Sequence, residues 1–330
     1  MPESLNQSAL FAMAMAFLLS LGALFFLFQR HIDDRPLLAY QPRCRVPWGP
    51  LAAMIPLLFL LLSIFGSRKE NVNEADFILS GWLNSAVMIG FVGMIMLLLT
   101  AAVGADAVDL GLPTSHRQLA RDVSAGVLAC IAALIPVYLI QFALQVVLQP
   151  KQQHQLIEQL IEHHTPQMML VGVVSAVVAA PVFEEFTFRV LLQGWLERRE
   201  DELIGYRGSE PMHSDTESST GVDDLALDFI SSVNPAPIEP VPGKPTGFQV
   251  EDRPKHGIIA ALPHGWTPIL ISSLAFGLAH VGHGVAPVPL VVFGIVLGYL
   301  YQRTHRLAAS VAAHMFFNAY SMGLLWLQIG

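Results

Sequence analysis

The chain has 330 residues, 53% of them hydrophobic and only 13% charged, with a formal net charge of −8. Soluble proteins carry roughly 25% charged residues, and the mean hydropathy here is +0.53, so neither a soluble two-domain enzyme nor a disordered chain fits. The 18 Lys and Arg form no long run, which argues against a nucleic-acid binder, and Cys44 and Cys130 show no C-x-x-C spacing and cannot build a disulfide framework.

Apolar stretches long enough to cross a bilayer, about 17–25 residues each, fall at 10–29, 49–66, 77–103, 123–148, 167–196, 258–284, 286–302 and 307–329. They predict an all-α polytopic membrane bundle of about eight transmembrane helices, with lipid as its main solvent. The first stretch has no basic flank and no small-residue cleavage site after Phe28, so it reads as an uncleaved helix. Basic residues then set orientation. Connections after odd-numbered stretches hold 14 Lys and Arg, those after even-numbered ones hold three, and Arg189 lies inside a helix. Leaving out the long 197–257 segment still gives eight against three. Both termini are expected outside and 197–257 in the cytoplasm, in a multi-pass protein of a bacterial plasma (inner) membrane.

The 197–257 segment breaks the apolar rhythm with 13 acidic residues, six basic residues and seven prolines. Low hydrophobicity with excess charge predicts disorder, and the proline-rich run at 237–243 reads as an extended linker. Apolar residues recur at helical spacing in Asp223–Ser231, where a solvated loop is preferred over a docking helix. No internal repeat is evident.

Ionisable residues within a span are costly, and each marks a functional-site hypothesis. The first four stretches contain no charged side chain. Glu184, Glu185 and Arg189 fall in the fifth, His264, His280 and His283 in or beside the sixth, and His314 with Asn318 in the last. Residues four apart share a helix face, so Glu185 and Arg189 can pair, while Glu184 faces elsewhere, with Phe188, and is free for chemistry. Phe276 and His280 repeat that spacing, as do His314 and Asn318. At about 1.5 Å per residue, Glu184 lies about 20 Å before Glu197, His280 about 21 Å past Trp266, Asn318 about 18 Å past Arg306 and His314 about 12 Å past it. Gly282, Gly284, Pro287 and Pro289 predict broken, non-helical backbone after His280, tolerated at such depth only beside protein or a wet cavity.

Glu184-Glu185-x-x-x-Arg189, Phe276-x-x-x-His280 and His314-x-x-x-Asn318 resemble the three ordered motifs of the CPBP family. That family includes type II CAAX prenyl endopeptidases, bacteriocin-processing and immunity proteins, and lysostaphin-resistance-like proteins. The similarity spans about 165–325 without the polar loop, with Val190 where many members have Gly. It divides the chain into N-terminal helices at 1–164 and a CPBP-like catalytic membrane domain at 165–330, interrupted by the insert. The resemblance implies an intramembrane endopeptidase acting on a membrane-associated protein or peptide, with the lipid bilayer as its other partner. It implies Glu184 as general base on a water, His280 holding that water, and His314 with Asn318 stabilising an oxyanion or binding a metal. Glu185 and Arg189, with Phe276 of the second motif, would orient the site.

Zinc, held by Glu184, His280 and His314, is one possibility open to this set. No H-E-x-x-H motif is present, and a metal-free glutamate mechanism uses the same residues. Two other readings stand beside the protease. One is a non-catalytic membrane immunity or interaction protein that keeps the motifs as polar glue; the other is a transporter or proton relay, opposed by the lack of inverted repeats.

Overall fold

The structure, a computed structural model, describes residues 6–41, 45–65, 73–149, 165–206 and 254–329. Each of the eight apolar stretches contains a helix: α1 (Gln7–Ile32), α2 (Pro50–Phe65), α3 (Glu74–Val103), α4 (His116–Leu148), α5 (Pro166–Ile204), α6 (Trp266–Leu278), α7 (Pro287–Thr304) and α8 (Leu307–Ile329). There is no β-strand among the described residues. Side-chain caps fix several starts. Asn6, Asn73, Ser115 and Thr165 each accept a first-turn amide N–H, and Pro166 follows Thr165 at a position where its missing N–H costs nothing.

Helices α1, α3, α4 and α5 are long and apolar enough to cross a membrane unaided, and their outward Phe11, Leu97 and Leu139 are exposed, as lipid-facing side chains are. Helix α6 departs from the expected 258–284 span. Its 13 residues reach about 20 Å, short of a hydrocarbon core of roughly 30 Å. Residues 258–265 are turns, tied down where Glu200 accepts the amide N–H of Ile258 at 3.1 Å and of Gly265 at 2.7 Å. Beyond α6 the chain turns through 279–286, with Gly282 at φ +92° and Gly284 at φ +60°, conformations that favour glycine.

Helix α5 forms the centre, with Phe186, Phe188, Val190 and Leu191 fully buried. It widens twice into π-helical turns, at Val174–Ala179 and Phe186–Gln193. The first lies just before Pro181, which has no N–H to give the carbonyl four residues back. The helix also runs on to Ile204, past the expected end at 196. Arg198 and Arg199 both bond Glu202, at 2.7 and 2.6 Å, and Gly205 at φ +71° stops it. Residues 207–253, with Asp223–Ser231 and most of the expected disordered insert, lie outside the described residues, as does Cys44.

Connections after odd-numbered helices meet at one end of the bundle. Arg45 pairs with Asp109 at 3.0 Å, Arg198 donates to Val46 O at 2.9 Å, and Leu307 N–H donates to Gly111 O at 2.8 Å. At the opposite end Thr165 donates to Glu74 at 2.7 Å. This alternation agrees with the spacing of basic residues along the sequence. Helix α4 packs closely on α8 at Gly126, where a β-carbon would overlap Ala309 O and come within 2.9 Å of Ala313 N.

Candidate active site

Helices α5 and α8 and the turn that follows α6 bring the intramembrane polar groups together. Glu184 and Glu185 sit on α5 between its two π-turns. The Glu185–Arg189 pair expected from four-residue spacing forms at 3.1 Å, with neither side chain exposed. Glu185 spends its other oxygen on His314 Nδ1 at 3.0 Å. Arg189 is held further by Ser272 Oγ at 2.6 Å and by the Phe276 ring, 5.2 Å from its guanidinium carbon.

Glu184 takes the other side of the helix. Its Oε2 faces Nε2 of His280 at 4.0 Å and Nε2 of His314 at 3.9 Å, beyond hydrogen-bonding range. Exposure separates the two carboxylates. The side chains of Glu184 and His280 keep 11% and 19% of their surface, against none for Glu185. Glu184 and His280 are therefore the reachable pair, and Glu185 is framework.

Hydrogen bonding decides which nitrogen of each imidazole is turned to Glu184. His280 Nδ1 meets Phe276 O at 2.8 Å. A carbonyl only accepts, so Nδ1 carries the proton and neutral His280 presents a lone pair at Nε2. His314 Nδ1 meets a carboxylate in the same way. Two imidazole lone pairs and one carboxylate oxygen thus converge on a common point. Such a trio of acceptors calls for a shared donor or cation, since three acceptors alone repel.

Residues 256–320 match a family model described as Rce1-like: Type II CAAX prenyl endopeptidase. The match supports a CPBP-family protease. It takes in Phe276, His280, His314 and Asn318 and stops short of the α5 carboxylates, which join these residues in space. It supports an intramembrane endopeptidase of the CAAX-protease kind, in keeping with the apolar helices of an integral membrane protein. No curated protein and no solved structure matches the chain at a significant level.

A zinc ion held tetrahedrally at about 2.1 Å keeps its ligand atoms about 3.4 Å apart. The separations of 3.9 and 4.0 Å here are wider. No group of three His, Cys, Asp or Glu side chains is gathered to hold a metal among the described residues. Nitrogen and carboxylate oxygen are atoms zinc accepts, but at these separations the three do not close on one ion.

The remaining residues divide by position. Asn318 stands one turn beyond His314 and donates to Ala176 O at 2.7 Å, in the first π-turn of α5. A straight-helix rise puts Glu184, His280, His314 and Asn318 at similar depth; the contacts set the two carboxylates level with His314, and Asn318 one turn beyond. Glu197 meets His305 at 3.2 Å and Glu185 meets His314, so twelve residues of α5 match nine residues leading through α8. The intervening π-turn, with i→i+5 bonding, advances less per residue than the α-helical 1.5 Å assumed. His283 lies 6.0 Å from His280, ring to ring. His264 is away from the cluster, against Asp201 at 2.6 Å. Three groups were missed: Ser272, the buried Glu197–His305 pair, and a buried bidentate pair between Asp122 and Arg306. Asp122 lies one residue before the expected 123–148 stretch, so its alignment with Arg306 at the bundle end was the available signal.

Proposed function

We propose that the chain is an intramembrane endopeptidase that hydrolyses a peptide bond of a membrane-associated protein or peptide with a water activated by Glu184. The observation that carries this is the convergence of the Glu184 oxygen with Nε2 of His280 and of His314. Polar glue needs fewer groups. The buried network of Glu185, Arg189, Ser272 and His314 is already hydrogen-bonded. Among the described residues Glu184 makes no direct hydrogen bond, so it adds a desolvation cost to the fold without a bond that repays it.

In this reading a water between the three atoms donates its protons to Glu184 and to His280 Nε2, leaving an oxygen lone pair aimed at the scissile carbonyl. Attack forms the new C–O bond as Glu184 takes a proton. Collapse of the tetrahedral intermediate breaks the C–N bond, and the proton passes to the departing amine. Glu185, accepting from Nδ1–H of His314, holds that ring with its Nε2 turned to Glu184 and the water. Asn318 acts as an anchor of α8 on the α5 π-turn, a different role from the oxyanion donor the motif suggests. The gathering of basic connections at one end supports a cytoplasmic placement of that end in a bacterial inner membrane.

Comparing membrane proteomes of cells carrying wild-type protein or Glu184→Gln tests the reading. Uncleaved precursors that accumulate only with the variant name the substrate. Identical proteomes alongside equal amounts of folded protein would refute it.

A further inference from the structure

Ser272 belongs to none of the three motifs, yet it is fully buried at the contact between α5 and α6. It precedes Phe276 by four residues on one face of α6, and His280 follows just past the end of that helix. Its hydroxyl has a single hydrogen, directed to Phe188 O at 3.0 Å, and its lone pairs take Arg189 Nη1–H at 2.6 Å. The Phe276 ring covers the same guanidinium, and its edge-on neighbour at 5.5 Å is the His314 ring. From Ser272 the bonds continue through Arg189 to Glu185 and through Glu185 to His314 Nδ1. Among the described residues Arg189 Nη2 is buried with no hydrogen-bond partner, so Nε and Nη1 carry the hydrogen bonds that orient the guanidinium under the Phe276 ring. Without Ser272 the guanidinium would keep one hydrogen bond, to Glu185, and the Phe276 ring.

We infer that Ser272 is a positioning residue: it locks the Arg189 guanidinium, so that Glu185 holds His314 in the Nδ1–H form with Nε2 turned to Glu184. The catalytic consequence rests on the proposed function, whereas the geometric consequence can be measured without turnover. Nitrogen-15 histidine spectra of the full chain in lipid nanodiscs report the tautomer of each imidazole. In Ser272→Ala the His314 signal should move from Nδ1–H to a mixture of tautomers. His280, held by a backbone carbonyl, should stay unchanged, and Ser272→Thr, which keeps the hydroxyl, should restore His314. Ser272→Cys, close in volume but a weak hydrogen-bonding group, serves the same purpose if the Ala variant does not fold.

With a farnesylated CAAX reporter peptide in proteoliposomes, Ser272→Ala should lower kcat by roughly 10- to 100-fold, the scale of a charged hydrogen bond, and leave KM nearly unchanged. In an Arg189→Met background it should cost nothing further, because Ser272 acts through Arg189. A His314 tautomer unmoved by Ser272→Ala, or effects of the two substitutions that simply add, would overturn the inference. Reporter cleavage that survives Glu184→Gln would instead overturn the catalytic reading and leave the tautomer result standing.

Discussion

Replacing Arg189 with Met removes the guanidinium around which Glu185, Ser272 and Phe276 are arranged. Glu185 is then a carboxylate with no exposed surface and one remaining hydrogen bond, from His314. Breaking a buried ion pair from one side costs about 3–5 kcal/mol, against a folding free energy of about 5–15 kcal/mol for a typical domain. The single variant should therefore lose a large share of its stability. Adding Glu185→Gln removes the stranded charge while still offering His314 an acceptor, so the double variant should lose only about 1–2 kcal/mol relative to wild type. Unfolding in mixed micelles by a denaturing detergent, followed through the five tryptophans, measures both. A loss below about 1 kcal/mol for Arg189→Met, or a double variant no better than the sum of the singles, would refute the reasoning.

Asp122→Leu should strand Arg306 at the end of the bundle where the odd-numbered connections meet, at a cost of about 3–5 kcal/mol. It is read as a lower unfolding midpoint, and an unchanged midpoint would contradict the burial of that pair. A strong zinc chelator should leave hydrolysis unchanged, and purified protein should hold no stoichiometric zinc. Activity lost to the chelator and restored by zinc would mean that Glu184, His280 and His314 close up around an ion.

Much of the fold was legible because lipid imposes it. Only helices satisfy their backbone within apolar stretches of this length, and a helix occurs in every predicted stretch. What the stretches did not carry was the length of α6. Hydropathy is continuous through Ala260, Ala261 and Leu262, whereas Glu200, some sixty residues earlier, holds that segment in turns. The motif residues were legible through spacing of four, since a pair such as Glu185 and Arg189 needs only local geometry. Glu184 came with its two histidines because intramembrane charges are few. Ser272 was not legible. Serine is unremarkable in a membrane helix, and its partner Arg189 lies on another helix, so nothing local distinguishes it from Ser273, which bonds Ile269 O in its own helix. The finer level of Asn318, one turn beyond His314, was not legible for a separate reason, the π-turn of α5, which composition does not announce.

Hydrolysis of a reconstituted membrane substrate in oxygen-18 water tests the central claim most directly. Wild-type protein should place the heavy oxygen in the new C-terminal carboxylate, and Glu184→Gln, with unchanged folding and unchanged His314 spectra, should yield no product. Cleavage by Glu184→Gln at the wild-type rate would contradict the account.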